Sequence, residues 1–192
     1  MADLKKKIES NAAVVGVLGL GYVGLPLALE FARKGLRVRG FDVDAARVRA
    51  LRSGRSYIGD VASSLLKEQT AAGRFRAENG FDAVSGCDAL IICVPTPLRK
   101  TKEPDVSYIL SASSEVVPRL AKGRLVVLES TTYPGTTREL VLPLFEKRGL
   151  TVGRDFFLAF SPERVDPSNP RYRIENTPKE VGGITPACAR LA

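Results

Sequence analysis

Residues 13–24 read AVVGVLGLGYVG, and residues 25–42 continue LPLALEFARKGLRVRGFD. The first six residues are apolar and valine-rich, the pattern of a strand buried on both faces. Gly19, Gly21 and Gly24 follow at GxGxxG spacing. Residues 25–34 then have helical composition, with Pro26 near the start and Gly35 past the end. Residues 36–42 read as a second strand closing on Asp42. Strand, glycine turn, helix, strand and acidic residue in that order describe a dinucleotide-binding unit. Gly19 permits the tight turn, Gly21 lets a pyrophosphate approach the main chain, and Gly24 lets the helix pack close to the strand. Unpaired N–H groups and the helix dipole then face the anion. Asp42, 18 residues beyond Gly24, is placed to accept both hydroxyls of an adenosine ribose and to repel a 2′-phosphate, which favours NAD over NADP. Arg47 could neutralise such a phosphate, but it lies in the following helix rather than directly after Asp42.

Working outward, the same alternation recurs. Residues 3–11 form a short polar helix, 45–52 and 61–72 are helical, and 74–77 is a short strand. Residues 89–94 (ALIICV) form the clearest apolar strand, ended by Pro95 and Pro97. Asp105 caps a helix to about residue 122 that Pro118 kinks or shortens. Residues 125–129 (LVVLE) and 156–160 are strands, and 180–182 is a short one. Thr136 and Glu139 have capping-box spacing and open a helix to about residue 148. The expected fold is α/β and Rossmann-like: a doubly wound, mostly parallel sheet with helices on both faces, formed by residues 1–192 as a single domain. The last residues look like the first turn of a helix, so a fragment of a longer protein is expected.

Composition narrows the function. The 192 residues are 44% hydrophobic and 26% charged, as in a globular domain rather than a disordered or collagen-like chain. No run approaches the roughly 20 apolar residues of a membrane span. The charged N-terminus lacks the apolar core of a secretory signal, and a cytoplasmic protein is expected. With no histidine, mechanisms needing a histidine base or ligand within the chain are excluded. Cys87, Cys93 and Cys188 offer neither a disulfide framework nor a metal site. The net charge of +8, from 29 basic and 21 acidic residues, is scattered over solvated faces. It suits phosphate-bearing small molecules better than nucleic acid, since no aromatic residues interleave the basic ones.

In an open α/β sheet, ligands bind at the carboxyl ends of the strands. Besides the glycine loop, those ends carry Val94-Pro95-Thr96-Pro97, Ser130-Thr131-Thr132 and Ser161-Pro162-Glu163-Arg164. Glu163 is the best acid/base candidate; the competing reading is a Glu that caps a helix or forms a salt bridge with Arg164. Cys93, inside an apolar strand, reads as inert packing rather than a nucleophile.

The stretches GVLGLGYVGLPLALEFARKG, FDVDAARVRALRSGRSYI, IICVPTPL, EPDVSYI, VVLESTTYPGTT and DFFLAFSPERVDP together resemble the N-terminal part of UDP-glucose/GDP-mannose dehydrogenases. The most similar subgroup is the bacterial UDP-N-acetylglucosamine 6-dehydrogenases of O-antigen and capsule synthesis. The resemblance spans about residues 8–192. It implies oxidation of the C6 alcohol of a UDP-sugar to a carboxylate with two NAD, through a cysteine-bound thiohemiacetal and thioester. It implies that Tyr22, Val23, Asp42 and Arg47 contact the adenosine and pyrophosphate half of NAD. Thr96 and Thr131 would lie toward the nicotinamide ribose and the reacting centre, with Val94, Pro95 and Ser130 also among the cofactor-binding residues. Thr131 would position the hydrolytic water, Glu163 would assist hydrolysis, and Arg164 and Val165 would touch the sugar nucleotide. Many relatives read SPEFLRES where this chain reads SPERVDPS, which leaves Asp166 as a stand-in for a second carboxylate. The family's cysteine nucleophile, catalytic lysine and UDP-binding domain lie downstream of residue 192. This chain is therefore expected to bind NAD without completing the oxidation, and the full-length protein to be a homo-oligomer. Rival expectations are a β-hydroxyacid or 6-phosphogluconate-type dehydrogenase, and a non-catalytic nucleotide-sensing module.

Overall fold

A computed structural model describes residues 1–100, 102–164, 174 and 176–192. The strands are β1 (Val14–Leu18), β2 (Arg37–Phe41), β3 (Phe75–Glu78), β4 (Ala89–Ile92), β5 (Arg124–Leu128), β6 (Phe156–Phe160) and β7 (Gly182–Gly183). They form one sheet in the order β3-β2-β1-β4-β5-β6-β7. All pairs are parallel except β6–β7, which is antiparallel. The chain winds outward from β1 in both directions, so the switch point lies between β1 and β4. Diverging loops leave a crevice there, at the carboxyl ends.

Each central strand feeds two cores. In β4, Ala89 and Ile91 face one core while Leu90 and Ile92 face the other; in β5 the split is Leu125 and Val127 against Val126 and Leu128. Burial on both sides is why these strands read as unbroken apolar runs. The first core is covered by α2 (Gly24–Arg33), α3 (Ala45–Arg52) and α4 (Ser63–Ala71), with α7 (Pro186–Leu191) at its far end; α1 (Ala2–Glu9) adds Leu4. The second is covered by α5 (Ser107–Val116) and α6 (Leu142–Glu146).

One helix is shortened where Pro118 was expected to kink or shorten it, and two elements differ from the sequence reading. The helix expected from Asp105 stops at Val116 and tightens into a 3-10 turn, Val117–Arg119, where Pro118 removes a donor. The helix expected from Thr136 begins as a π-helical turn, Thr136–Val141, before α6. Pro143 would crowd the carbonyl four residues earlier in a regular helix, and the wider turn avoids that clash. No capping box forms. The residue preceding that turn is Gly135, which has no capping side chain, and the Thr136 hydroxyl donates instead to the Tyr133 carbonyl at 2.9 Å. The β3–β4 connection carries a 3-10 turn, Asp82–Gly86, that no sequence signal announced.

The amino ends of the strands are fastened by buried carboxylates. Asp88 accepts from Val14 N–H at 3.0 Å and from Lys7 Nζ at 3.0 Å, and it pairs with Arg124. This bolts α1 and β5 to the start of β4. Asp155 accepts from Thr151 N–H at 2.9 Å and pairs with Arg154 at 2.9 Å and Lys122 at 3.1 Å. Burial opposes ionisation of Asp88, but the Val14 N–H and the Lys7 and Arg124 cations outweigh it and hold its carboxyl below the usual range. Arg154, the Thr151 N–H and Lys122 hold Asp155 lower still. Their stabilisation is present above the unfolded carboxylate value, about 4, and is lost as pH falls through the lowered folded values. Urea titrations should therefore show stability falling below about pH 4, and Asp155→Asn should flatten that dependence. At neutral pH, Asp88→Ala strands two cations and an N–H and should cost about 3 kcal/mol; an unchanged urea midpoint would contradict the clamp.

Candidate dinucleotide site

A cleft of about 800 Å³ opens along the carboxyl ends of the strands, running from Asp42 and Arg47 past the glycine loop to Thr131 and Glu163. Its volume lies in the range of small-molecule and cofactor sites. The three glycines divide the labour that the spacing suggested. Gly19 has φ +90°, and an added Cβ would stand 2.6 Å from the Cys93 carbonyl oxygen, so the turn presses on the end of β4. At Gly24 an added Cβ would stand 1.8 Å from the Gly19 carbonyl oxygen, leaving α2 no room for any side chain there. At Gly21 an added Cβ would meet nothing within 4 Å. No packing demand of the protein explains that glycine; the open cleft beside it does. Among the described residues, the N–H groups of Tyr22 and Val23 donate to no protein acceptor, which leaves them to a ligand at the start of α2.

Asp42 ends β2 nearly buried, at 7% exposure. Its Oδ2 accepts from Leu20 N–H at 3.0 Å and its Oδ1 from Asp44 N–H at 2.9 Å. The carboxylate thus fixes the glycine loop and the β2–α3 turn, and each oxygen keeps a lone pair for a further donor. Arg47 leans across it, Nη1 to Oδ2 at 3.8 Å, and its Nε lies 3.5 Å from Asp44 Oδ2, so one guanidinium faces two carboxylates at this end of the cleft.

At the other end, the Ser130 hydroxyl lies 2.9 Å from the Val94 carbonyl oxygen, tying the tip of β5 to that of β4. The Thr96 hydroxyl donates to the Thr131 carbonyl. Val94, Pro95, Thr96, Ser130 and Thr131 all line the cleft, as does Glu163. Glu163 Oε1 accepts from Arg164 N–H at 2.7 Å, whereas the Arg164 guanidinium pairs with Glu180 at 3.3 Å. The ion pair that competed with the acid/base reading of Glu163 is therefore directed elsewhere. Val165 and Asp166 lie outside the described residues. Cys93 lines the cleft but is 7% exposed. Burial, with Glu129 and Glu163 adding to it, pushes its thiol well above the usual range, so it packs rather than attacks.

Sequence reasoning missed two groups. Glu129, at the tip of β5, is buried and salt-bridged to Lys179. Burial pushes its carboxyl up against the pull of Lys179. Tyr57 donates its hydroxyl to the Leu20 carbonyl at 2.7 Å behind the loop. Burial and the Asp42 charge push this phenol up to about 12, so it is a donor at neutral pH. Both pairings span long stretches of chain, and no local pattern marks them.

A sequence profile described as the UDP-glucose/GDP-mannose dehydrogenase family, NAD binding domain, matches residues 13–192. The chain belongs to the UDP-glucose/GDP-mannose dehydrogenase family. Its matched residues form that family's NAD-binding domain, and NAD is its cofactor. The UDP-N-acetyl-D-glucosamine 6-dehydrogenase of Pseudomonas aeruginosa is 40% identical over 178 residues, covering 92% of this chain and 41% of the relative. The UDP-D-ManNAc dehydrogenase structure from Pyrococcus horikoshii superposes with TM-score 0.85 at 36% identity over 93% of this chain and 43% of that one. The NDP-N-acetyl-D-galactosaminuronic acid dehydrogenase of Methanosarcina mazei Go1 superposes with TM-score 0.86 at 32% identity, covering all of this chain and 43% of the other. The chain thus spans less than half the length of these relatives. Among the described residues no helix is long and apolar enough to cross a membrane.

Proposed function

We propose that this chain, residues 1–192, is a single domain supplying the NAD-binding part of a nucleotide-sugar 6-dehydrogenase. The reaction is oxidation of the C6 alcohol of a UDP-sugar to the uronic acid with two NAD. The substrate is a UDP-N-acetylhexosamine, as the names of the relatives suggest. The observation that carries the reading is the single cleft joining the Asp42 end, the glycine loop and the Thr131–Glu163 end.

In this reading Gly19, Gly21 and Gly24 shape the phosphate loop, and the Tyr22 and Val23 amides bind the pyrophosphate. Asp42 accepts from the adenosine ribose while Arg47 balances its charge. Val94, Pro95 and Thr96 form the wall toward the nicotinamide ribose, and Ser130 holds that wall to β5. NAD, when bound, supplies the hydride acceptor. Thr131 and Glu163 face the reacting end, where Glu163 can take a proton from an attacking water. Glu163 and Arg164 stand on the sugar-nucleotide side, and the family resemblance assigns Val165 a contact with the same group. The setting is cytoplasmic, which suits three free buried cysteines, and the full-length protein assembles as a homo-oligomer.

The chain's own thiols argue that it does not turn over alone. All three are buried, and burial pushes Cys87 up to about 12. The pure chain is expected to bind NAD yet release no NADH when given UDP-N-acetylglucosamine. A polypeptide of the relatives' full length carrying this domain is expected to reduce NAD with UDP-N-acetylglucosamine or UDP-N-acetylmannosamine. NAD reduction with simple hydroxyacids instead, or NAD binding with no turnover of any substrate, would overturn the proposal.

A further inference from the structure

Leu20, between the first two glycines of the loop, is gripped at three points. Its N–H donates to Asp42 Oδ2 at 3.0 Å, and its carbonyl accepts from the Tyr57 hydroxyl at 2.7 Å. Its side chain is fully buried against Gly40, where an added Cβ would come within 2.7 Å of it. The loop's orientation is thus set through one residue that does not itself line the cleft. Tyr57 makes a second contact. The Arg47 guanidinium carbon sits over its ring, 5.6 Å from the centroid. Tyr57 is half-buried and is not part of the cleft lining, yet it touches two elements that are.

We propose that Tyr57 is a positioning residue for the dinucleotide, setting the phosphate loop through the Leu20 carbonyl and holding Arg47 over the adenosine end of the cleft. The inference rests on the reading of the cleft as the NAD site. Its physical basis is preorganisation. A segment with three glycines has more freedom to lose than any other, and a ligand that must order it binds more weakly. An arginine on a long stem has the same problem, and an aromatic face beneath it restricts the guanidinium at modest cost. Tyrosine serves both ends because its ring is apolar and its tip is a donor.

The test is NAD titration by calorimetry on wild type, Y57F, Y57L, R47A and the Y57L/R47A double variant, with a urea melt of each. Y57F keeps the ring under Arg47 and loses only the Leu20 hydrogen bond. It should bind NAD about two- to tenfold more weakly. In the ligand-free chain its Gly19 and Leu20 amides, which donate to Phe41 and Asp42, should exchange with deuterium faster. Y57L loses both contacts and should weaken binding by a further factor of about two to five. In the R47A background that further factor should vanish, leaving the Y57F penalty alone. Unchanged affinity in Y57F and Y57L would overturn the proposal. So would a Y57L penalty undiminished by R47A, or a Y57F variant whose urea midpoint falls while its loop exchange stays as in wild type. If Y57L fails to fold, Y57F still decides the loop contact. A wild-type chain that binds no NAD would instead refute the reading of the cleft.

Discussion

Gly21→Ala is expected to leave the fold intact and to weaken NAD binding severely, whereas Gly24→Ala is expected to damage both. The two glycines are three residues apart in one loop, and substitution tables treat them alike. Their surroundings differ completely. A methyl at Gly21 meets no protein atom within 4 Å, so the free chain should melt in urea as wild type does. That same methyl would project into the cleft, where on the proposed reading a phosphate approaches the Tyr22 and Val23 amides. Losing those charge-assisted hydrogen bonds should weaken NAD about a hundredfold. A methyl at Gly24 lands 1.8 Å from the Gly19 carbonyl oxygen. Neither atom sits on a flexible side chain, so α2 must move off β1. Overpacking costs about 1–3 kcal/mol and occasionally more, and a 1.8 Å contact with backbone belongs at the upper end, above the roughly 1 kcal/mol that alanine gains in a helix. Urea midpoints and calorimetric titrations on the two variants separate the cases. Equal melting and equal affinity for both would show that the loop does not work as described.

Asp42→Ala carries the second large effect, and it should appear in two measurements at once. The carboxylate accepts from two main-chain N–H groups, those of Leu20 and Asp44. Removing it leaves both donors unsatisfied in a nearly buried place, a stability loss of about 2–4 kcal/mol. NAD affinity should fall by a further 1–3 kcal/mol, roughly, from ribose hydroxyls left without an acceptor. Asp42→Asn keeps one carbonyl oxygen and should recover part of the stability while still binding NAD poorly. An alanine variant as stable as wild type would refute the clamp, and an unchanged dissociation constant would refute the ribose role.

Much of this molecule is legible in its sequence because two patterns carry the information locally. Strands buried on both faces cannot alternate, so the runs ending at Leu18, Ile92 and Leu128 announce a parallel sheet. A glycine that must turn, one that must stay open and one that must let a helix approach impose their own spacing, and GLGYVG displays it. The sequence reading falters where a nearby proline or a distant partner overrides a local pattern. Thr136 and Glu139 have the spacing of a capping box, yet Pro143 forces a wide first turn and the Thr136 hydroxyl turns to Tyr133. The place of Asp42 at the end of β2 was readable, but its clamp on Leu20 was not, because hydrogen bonding to a residue 22 positions away leaves no mark in composition. Tyr57 and the Glu129–Lys179 pair were invisible for the same reason. Their roles come from the sheet bringing 20 and 57, or 129 and 179, to one place.

The most direct test of the account is to determine where the dinucleotide lies. Crystals of the chain grown with NADH should show the diphosphate against the main chain at residues 21–23, the adenosine ribose at Asp42 and the nicotinamide toward Thr131. A chain that stays empty at millimolar NADH, or one that holds the dinucleotide away from the glycine loop, would contradict it.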